Sequence, residues 1–399
     1  MVKNLDKMKF FAVLFLSVSL VYAADVVEEL KQGNIQFSTQ LYKHIAKETS
    51  DNVILSPLSV QLVLALSKLG AKGETAAELT KSLHLPESPD KIKEGFKGII
   101  SKLKGNQYYS LDTANKIYLN DGYLINPEFL KLAQEIFDAS LESVKFAENV
   151  KAADTINKWV ESRTNKKIQN LVDPSALDKF TRMVLVNALY FQANWSLPFD
   201  EYATSKRKFY KSEKEELDVH TMHKTATFKY AENKDLDAKL IQIFYQGGDI
   251  TFTIALPNKR EGLGALEDRL SEVLLPQKYG SRRLSLYMPK FKIESSFNLN
   301  SVLQKLGIQK AFDPNGADFS GLLANDERLV ITNVVQKAFI NVTESGTEAA
   351  AATAVTFAVA TSFIPEEPPL EIHVDRPFFF AINQGSLPLF VGRVVEPSV

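Results

Sequence analysis

The spacing of apolar positions changes character near the middle of the chain. From Val26 to Lys47, Ser56 to Leu69, Thr75 to Leu83 and Pro89 to Lys104, apolar residues recur at the interval of one helix face. Ser56-Pro57 opens the second of these runs with a proline suited to a first helical turn, and Gly70 to Gly73 breaks it. Asp112 to Leu119 alternates as a strand does and ends at the turn Asn120-Asp121-Gly122, after which Pro127 to Ser140 and Ala152 to Thr164 return to the helical period. Beyond Met183 the pattern is dominated by strand formers: Met183 to Gln192, Lys239 to Tyr245, Thr251 to Ala255, Arg283 to Pro289 and Leu329 to Val342. Short helical patterns at Gly264 to Glu272 and Ser301 to Leu306 interrupt them, and Asp375 to Asn383 and Pro388 to Val395 close the chain as two apolar strands. There is no internal repeat, so one α+β domain over residues 24–399 is the economical expectation.

One stretch fits neither pattern. Ala349 to Ile364 is sixteen residues without a charge, too short and too rich in threonine for a bilayer span. Its alanine quartet Ala349–Ala352 favours helix, whereas Val355, Thr356, Phe357 and Val359 favour strand, so local propensity commits it to neither. Read as a strand, Thr347, Ala349, Ala351, Thr353, Val355 and Phe357 share one face, and the other carries the single charge, Glu348. Side chains this small are what a strand needs to enter a sheet whose layers are already packed. Gly346 supplies a pivot before the run, and Pro365, Pro368 and Pro369 stiffen its far end. Composition alone fits an alanine-rich linker equally well.

The chain of 399 residues is 45% hydrophobic and 24% charged, with a net charge of −1. That balance argues against nucleic acid or a polyanion as the main partner. Lys91, Lys93, Lys97, Lys102 and Lys104 follow one helical pattern, but Asp90 and Glu94 lie among them, so a solvated face is expected. Lys3, Lys7 and Lys9 followed by the apolar run Phe10 to Tyr22 and the small residue Ala23 have the form of a secretory signal peptide over 1–23, which makes the mature protein extracellular. No cysteine is present, so thiol chemistry is excluded and the core must hold without disulfides. Asn194 and Asn341 head formal glycosylation sequons in apolar, strand-like surroundings, where occupancy is not expected.

Catalytic constellations are missing. No G-x-S-x-G, G-x-x-x-x-G-K, H-E-x-x-H or dinucleotide-binding glycine pattern occurs, so no enzyme activity and no cofactor are expected. Of the five histidines only His220 and His223 are close, and a strand there sends their rings to opposite sides, which argues against a metal site.

Glu344-Ser345-Gly346-Thr347-Glu348-Ala349-Ala350-Ala351-Ala352-Thr353 resembles the hinge of the reactive-centre loop of the serpins. The resemblance extends over the mature chain through Ser56-Pro57-Leu58-Ser59, Asn157-Lys158-Trp159-Val160, Leu185-Val186-Asn187-Ala188, Gly316-Ala317-Asp318-Phe319-Ser320, Asp375-Arg376-Pro377-Phe378-Phe379 and Phe390-Val391-Gly392-Arg393-Val394. It implies an α+β serpin fold: three β-sheets, eight or nine helices and an exposed reactive-centre loop at about 345–369. It further implies that Ser56, Ser59, Asn157 and Asn187 form a polar cluster beneath the central sheet, with Trp195 at its top, and that Gln336 stands where many vertebrate members carry a histidine. The activity implied is that of a monomeric suicide-substrate inhibitor, cleaved by a serine protease and trapping the covalent acyl-enzyme by loop insertion. Family spacing from Glu344 selects the bond Ala360–Thr361, similar to insect haemolymph serpins with an alanine bait, and so an elastase-like target. The stretch from Thr361 to Pro377 is long for the family, which leaves Phe363 and a chymotrypsin-like target as the alternative. A non-inhibitory carrier of the same fold is the rival class.

Overall fold

The computed structural model describes the backbone of residues 2–347 and 367–398, with side chains from Ala24 onward within those spans. The first part holds helices α1 (Val2–Glu48), α2 (Pro57–Gly70), α3 (Gly73–Ser82), α4 (Pro89–Leu103), α5 (Pro127–Phe137) and α6 (Asn149–Arg163), with strands β1 (Val53–Leu55), β2 (Tyr109–Asn120) and β3 (Ser140–Val144) between them. Then follow β4 (Met183–Asn194), β5 (Ser205–Tyr210), β6 (Glu216–Asn233), β7 (Ala238–Phe244), β8 (Ile250–Pro257), α7 (Leu263–Asp268), α8 (Leu270–Leu274), β9 (Gly280–Pro289), β10 (Phe291–Asn298) and α9 (Asn300–Lys305). The chain closes with β11 (Ile331–Val342), β12 (Gly346–Thr347), β13 (Leu370–His373), β14 (Phe378–Gln384) and β15 (Leu387–Val394). The expected helix Val26–Lys47 thus lies within a longer helix, and the one expected to reach Ser140 stops at Phe137, where Asp138 turns left-handed at φ 47° and starts the run into β3.

A six-stranded sheet runs β10-β11-β12-β4-β2-β3, and a nine-stranded sheet runs β1-β15-β14-β8-β7-β6-β9-β13 with β5 also on β6. The larger sheet is two sheets joined by one long strand. β6 pairs with β5 over Glu216–Thr221, with β9 over Thr221–Tyr230 and with β7 over Lys229–Asn233. Both faces of the smaller sheet are covered. Odd-numbered residues of β4, such as Leu185, Leu189 and Phe191, belong to the main core, whereas Val184, Val186, Ala188 and Tyr190 pack with Ile156 and Val160 of α6 in a second cluster. On the core side lies α2, buried on nearly every side, as a helix with apolar residues all round its axis must be. Truncating Leu64 there to alanine would cost about 2–5 kcal/mol.

Candidate functional site at the hinge of the loop

Two parallel strands, β4 and β11, meet at the centre of the six-stranded sheet, paired from Met183–Ile331 to Tyr190–Phe339. Above Tyr190 they part. After Val342 the chain reverses through Thr343–Ser345, with the Gly346 carbonyl accepting from the Thr343 N–H at 2.8 Å, and enters the gap as β12. Thr347 lies opposite both Val342 and Ala193, and Gly346 opposite Asn194, antiparallel to each neighbour. Glycine is required at 346 by space: a Cβ there would stand 2.1 Å from the Ala193 carbonyl oxygen.

The hinge is held by specific contacts. Thr347 is fully buried, and its hydroxyl lies 2.6 Å from that of Tyr245, itself fully buried and stacked on Trp195 at 4.4 Å. Burial raises the Tyr245 pKa, while its bond to Thr347 works the other way, so the phenol stays protonated. The Trp195 indole donates to the Thr343 carbonyl at 2.9 Å, and its backbone N–H donates to Ser345 O at 2.9 Å. One residue earlier, the Glu344 carboxylate accepts from Thr204 Oγ1 at 2.7 Å and pairs with Lys290 at 2.9 Å. Burial acts to raise the Glu344 pKa, but the bonds from Thr204 and Lys290 prevail and hold it below the usual carboxylate value.

Lower in the seam the expected polar cluster is mostly assembled. Asn187 Oδ1 accepts from Ser59 Oγ at 2.6 Å and, across the seam, from Gln336 Nε2 at 2.7 Å; Gln336 Nε2 also reaches Ser56 O at 2.8 Å. Ser56 caps α2, accepting from the Ser59 N–H at 3.4 Å. All of these side chains are buried, so the one direct bond between β4 and β11 side chains at this level lies in a low-dielectric interior. Asn157 does not join them. It sits on α6, on the opposite side of the sheet, where its amide donates to the Val172 carbonyl and accepts from the Val172 N–H, both at 2.9 Å. Asn115 of β2 joins them instead, accepting from Asn187 Nδ2 at 2.5 Å. Its signal was available: alternation puts Asn115 on the core face with Ile117 and Leu119, a polar residue in an apolar row.

Residues Glu348, Ala349, Ala350, Ala351, Ala352, Thr353, Ala360, Thr361 and Phe363 lie outside the described residues. Elsewhere, on the expected lysine-rich face of α4, Lys91 pairs with Glu29 at 2.9 Å and Lys93 with Asp90 at 3.1 Å. No group of three or more metal-ligating side chains is gathered among the described residues, and no helix among them is long and apolar enough to cross a membrane.

A mixed α+β protein with its own chain doubled back as the start of a strand inside its central sheet forms a recognisable class. Residues 32–397 match the family model described as Serpin (serine protease inhibitor), and the chain belongs to that family. Alaserpin of Manduca sexta is 36% identical over 397 residues, covering 98% of this chain and all of that one. The human leukocyte elastase inhibitor is 34% identical, covering 93% of this chain and all of its own length. Among solved structures, Serpin48, a highly specific serpin of the insect Tenebrio molitor, superposes with a TM-score of 0.87 at 40% identity, covering 93% of this chain and 99% of that one.

Proposed function

We propose that the protein is a secreted suicide-substrate inhibitor of serine proteases with elastase-like targets, made as a leader over 1–23 and one domain over 24–399. The observation that carries the reading is β12, a two-residue antiparallel wedge between parallel strands. Its register can be continued: each further loop residue steps back one place on β4 and β11. Ala349 then comes level with Phe191 and Ile340, Thr353 with Asn187 and Gln336, and Phe357 with Met183. Thr353 would replace the bond between Asn187 and Gln336 with its own hydroxyl. Glu348 would fall beside Gln192 and Asn341, both half-exposed, where a carboxylate stays solvated. Ala350, Ala352 and Ala354 would fall on the α6 side, and Ala349, Ala351, Thr353, Val355 and Phe357 on the core side.

Insertion exchanges one parallel ladder for two antiparallel ones, the slightly more stable pairing, and each added backbone bond contributes about 0.5–1.5 kcal/mol. A strand from Thr347 to Ala360 spans roughly 45 Å at about 3.3 Å per residue, so a protease attached at its end is carried far from the hinge. In the proposed reaction the protease serine attacks the Ala360 carbonyl, the peptide beginning at Thr361 leaves, and the ester persists because insertion is faster than hydrolysis. The absence of Lys or Arg between Gly346 and Asp375 disfavours trypsin-like enzymes, and the name of the leukocyte elastase inhibitor agrees with the elastase-like choice. Mixing with elastase should give a band at the summed mass on denaturing electrophoresis and a released peptide starting at Thr361. A peptide starting at Ile364, released by chymotrypsin, would move the bond to Phe363, and no covalent band with any serine protease would favour a carrier.

A further inference from the structure

The loop has a second anchor. Where the described chain resumes after it, β13 forms the edge of the nine-stranded sheet, pairing with β9 in parallel over four residues, Leu370 to His373. So short a parallel edge is a weak attachment by backbone alone.

Side chains reinforce it on the outer face. Tyr287 of β9 has His373 of β13 stacked on it at 4.5 Å and 5°, and His223 of β6 stacked at 4.3 Å and 17°. The Arg207 guanidinium of β5 lies 4.1 Å from the centre of the same ring. His223 Nε2 stands 2.9 Å from Ser285 Oγ, and His373 Nε2 stands 3.3 Å from the Glu371 carboxylate. The other charges at the rim of this face are engaged elsewhere: Lys208 by Glu216 and Asp218, and Asp375 by Arg376. A neutral imidazole at His223 closes this stack well. An imidazolium there would add a charge beside a ring that already receives Arg207, with Glu371 committed to His373.

We propose that this stack is an acid-sensitive clasp on β13, with His223 as its titrating member, which releases the far end of the reactive-centre loop when the pH falls. Burial foremost, then Arg207 and His373, lower the His223 pKa from its ordinary 6.5 against the pull of Glu371. The sign follows: β13 gains stability from neutral His223 above about pH 6.5, and loses it as pH falls through the lower folded value. Each unit of depression makes opening about tenfold more favourable below both values. Freed at this end, an uncut loop has slack to follow Thr347 further into the seam. The clasp stands on this geometry alone; its effect on inhibition rests on the function proposed above.

Hydrogen exchange of residues 370–374 in the full chain, corrected for the intrinsic pH dependence of exchange, tests the clasp at pH 7.5 and 5.5. Exchange should rise at the lower pH in the parent, by up to about tenfold, the limit set by an ordinary pKa of 6.5 lying one unit above the assay pH, stay flat in His223→Phe, which keeps the stack without the proton, and rise less in Arg207→Gln. Equal protection at both pH values in the parent, or an unchanged acid response in His223→Phe, overturns the proposal. Spontaneous loss of protease trapping by the uncut protein should accelerate at pH 5.5 in the parent and not in His223→Phe. If no protease is trapped at any pH, the inhibitor reading fails while the exchange result still decides the clasp.

Discussion

Thr353→Glu places a carboxylate where the continued register puts the loop against Asn187 and Gln336. The intact fold should tolerate it, because β12 and the seam are held by Thr347 on Tyr245, Glu344 on Thr204 and Gln336 on Asn187, which the substitution leaves in place. Insertion meets it halfway down. There the side chain enters a buried site whose nearest groups are the Asn187 carbonyl oxygen, already accepting from Ser59, and the Gln336 amide, already donating to Ser56 O. An uncompensated buried carboxylate costs several kcal/mol, and the Gln336 amide recovers only part of it. A net of about 4 kcal/mol in the insertion barrier slows it roughly a thousandfold at 1.4 kcal/mol per factor of ten. Hydrolysis of the acyl-enzyme then wins and the variant becomes a substrate. The stoichiometry of inhibition measures this directly, with thermal melting of the uncut variant as the control. An unchanged stoichiometry, with the melting temperature also unchanged, would refute the register, and with it the insertion path assigned to this seam. Glu348→Ala, by the same register, should change neither quantity.

Thr347→Arg should abolish trapping and leave the loop cleavable, and since Thr347 is already buried on Tyr245 it should also expel β12 and lower the melting point of the uncut protein; normal trapping stoichiometry would contradict both. Glu344→Gln should destabilise the uncut protein by about 1.5–3 kcal/mol by weakening a charge-assisted pair, which denaturant melts at pH 7 will measure. Because the Glu344 pKa is lowered, its contribution is present above the ordinary 4.5 and lost as pH falls through the lower folded value, so the stability difference from Glu344→Gln should shrink only in that acid range. Ala360→Arg should redirect trapping from elastase to trypsin, read from second-order rate constants; undiminished preference for elastase would place the bond elsewhere.

The parts of this fold readable from sequence are those where one physical signal dominates. α2 was legible because its apolar residues are continuous and Ser56-Pro57 marks its start, and β4 and β11 because buried central strands leave long runs of branched and aromatic residues. β6 gave only a local hint, since charged residues Glu216, Asp218, Lys229 and Glu232 stand at its exposed positions and its buried side changes parity between Thr221 and Met222. β10 was not anticipated because half its residues face water, and β1 and β13 are too short for any period to show. The hinge residues were marked by composition, but no sequence signal states that Thr347 is already a strand residue or that Lys290, 54 positions before Glu344, is its partner. Asn157 shows the limit of resemblance: the motif is present, yet its amide serves α6 and Val172 rather than the seam. Asn115 shows the reverse, a seam residue announced only by a polar interruption of an apolar face.

The central claim is that the cleaved loop enters the sheet between β4 and β11. Calorimetric melting of the protein before and after a single cut within the loop, with the two fragments kept together, tests it most directly. Insertion adds a central strand with two new ladders, so the cut protein should melt well above the intact one. A nick that leaves the loop outside can only loosen the chain, so an equal or lower melting temperature after the cut would contradict the claim.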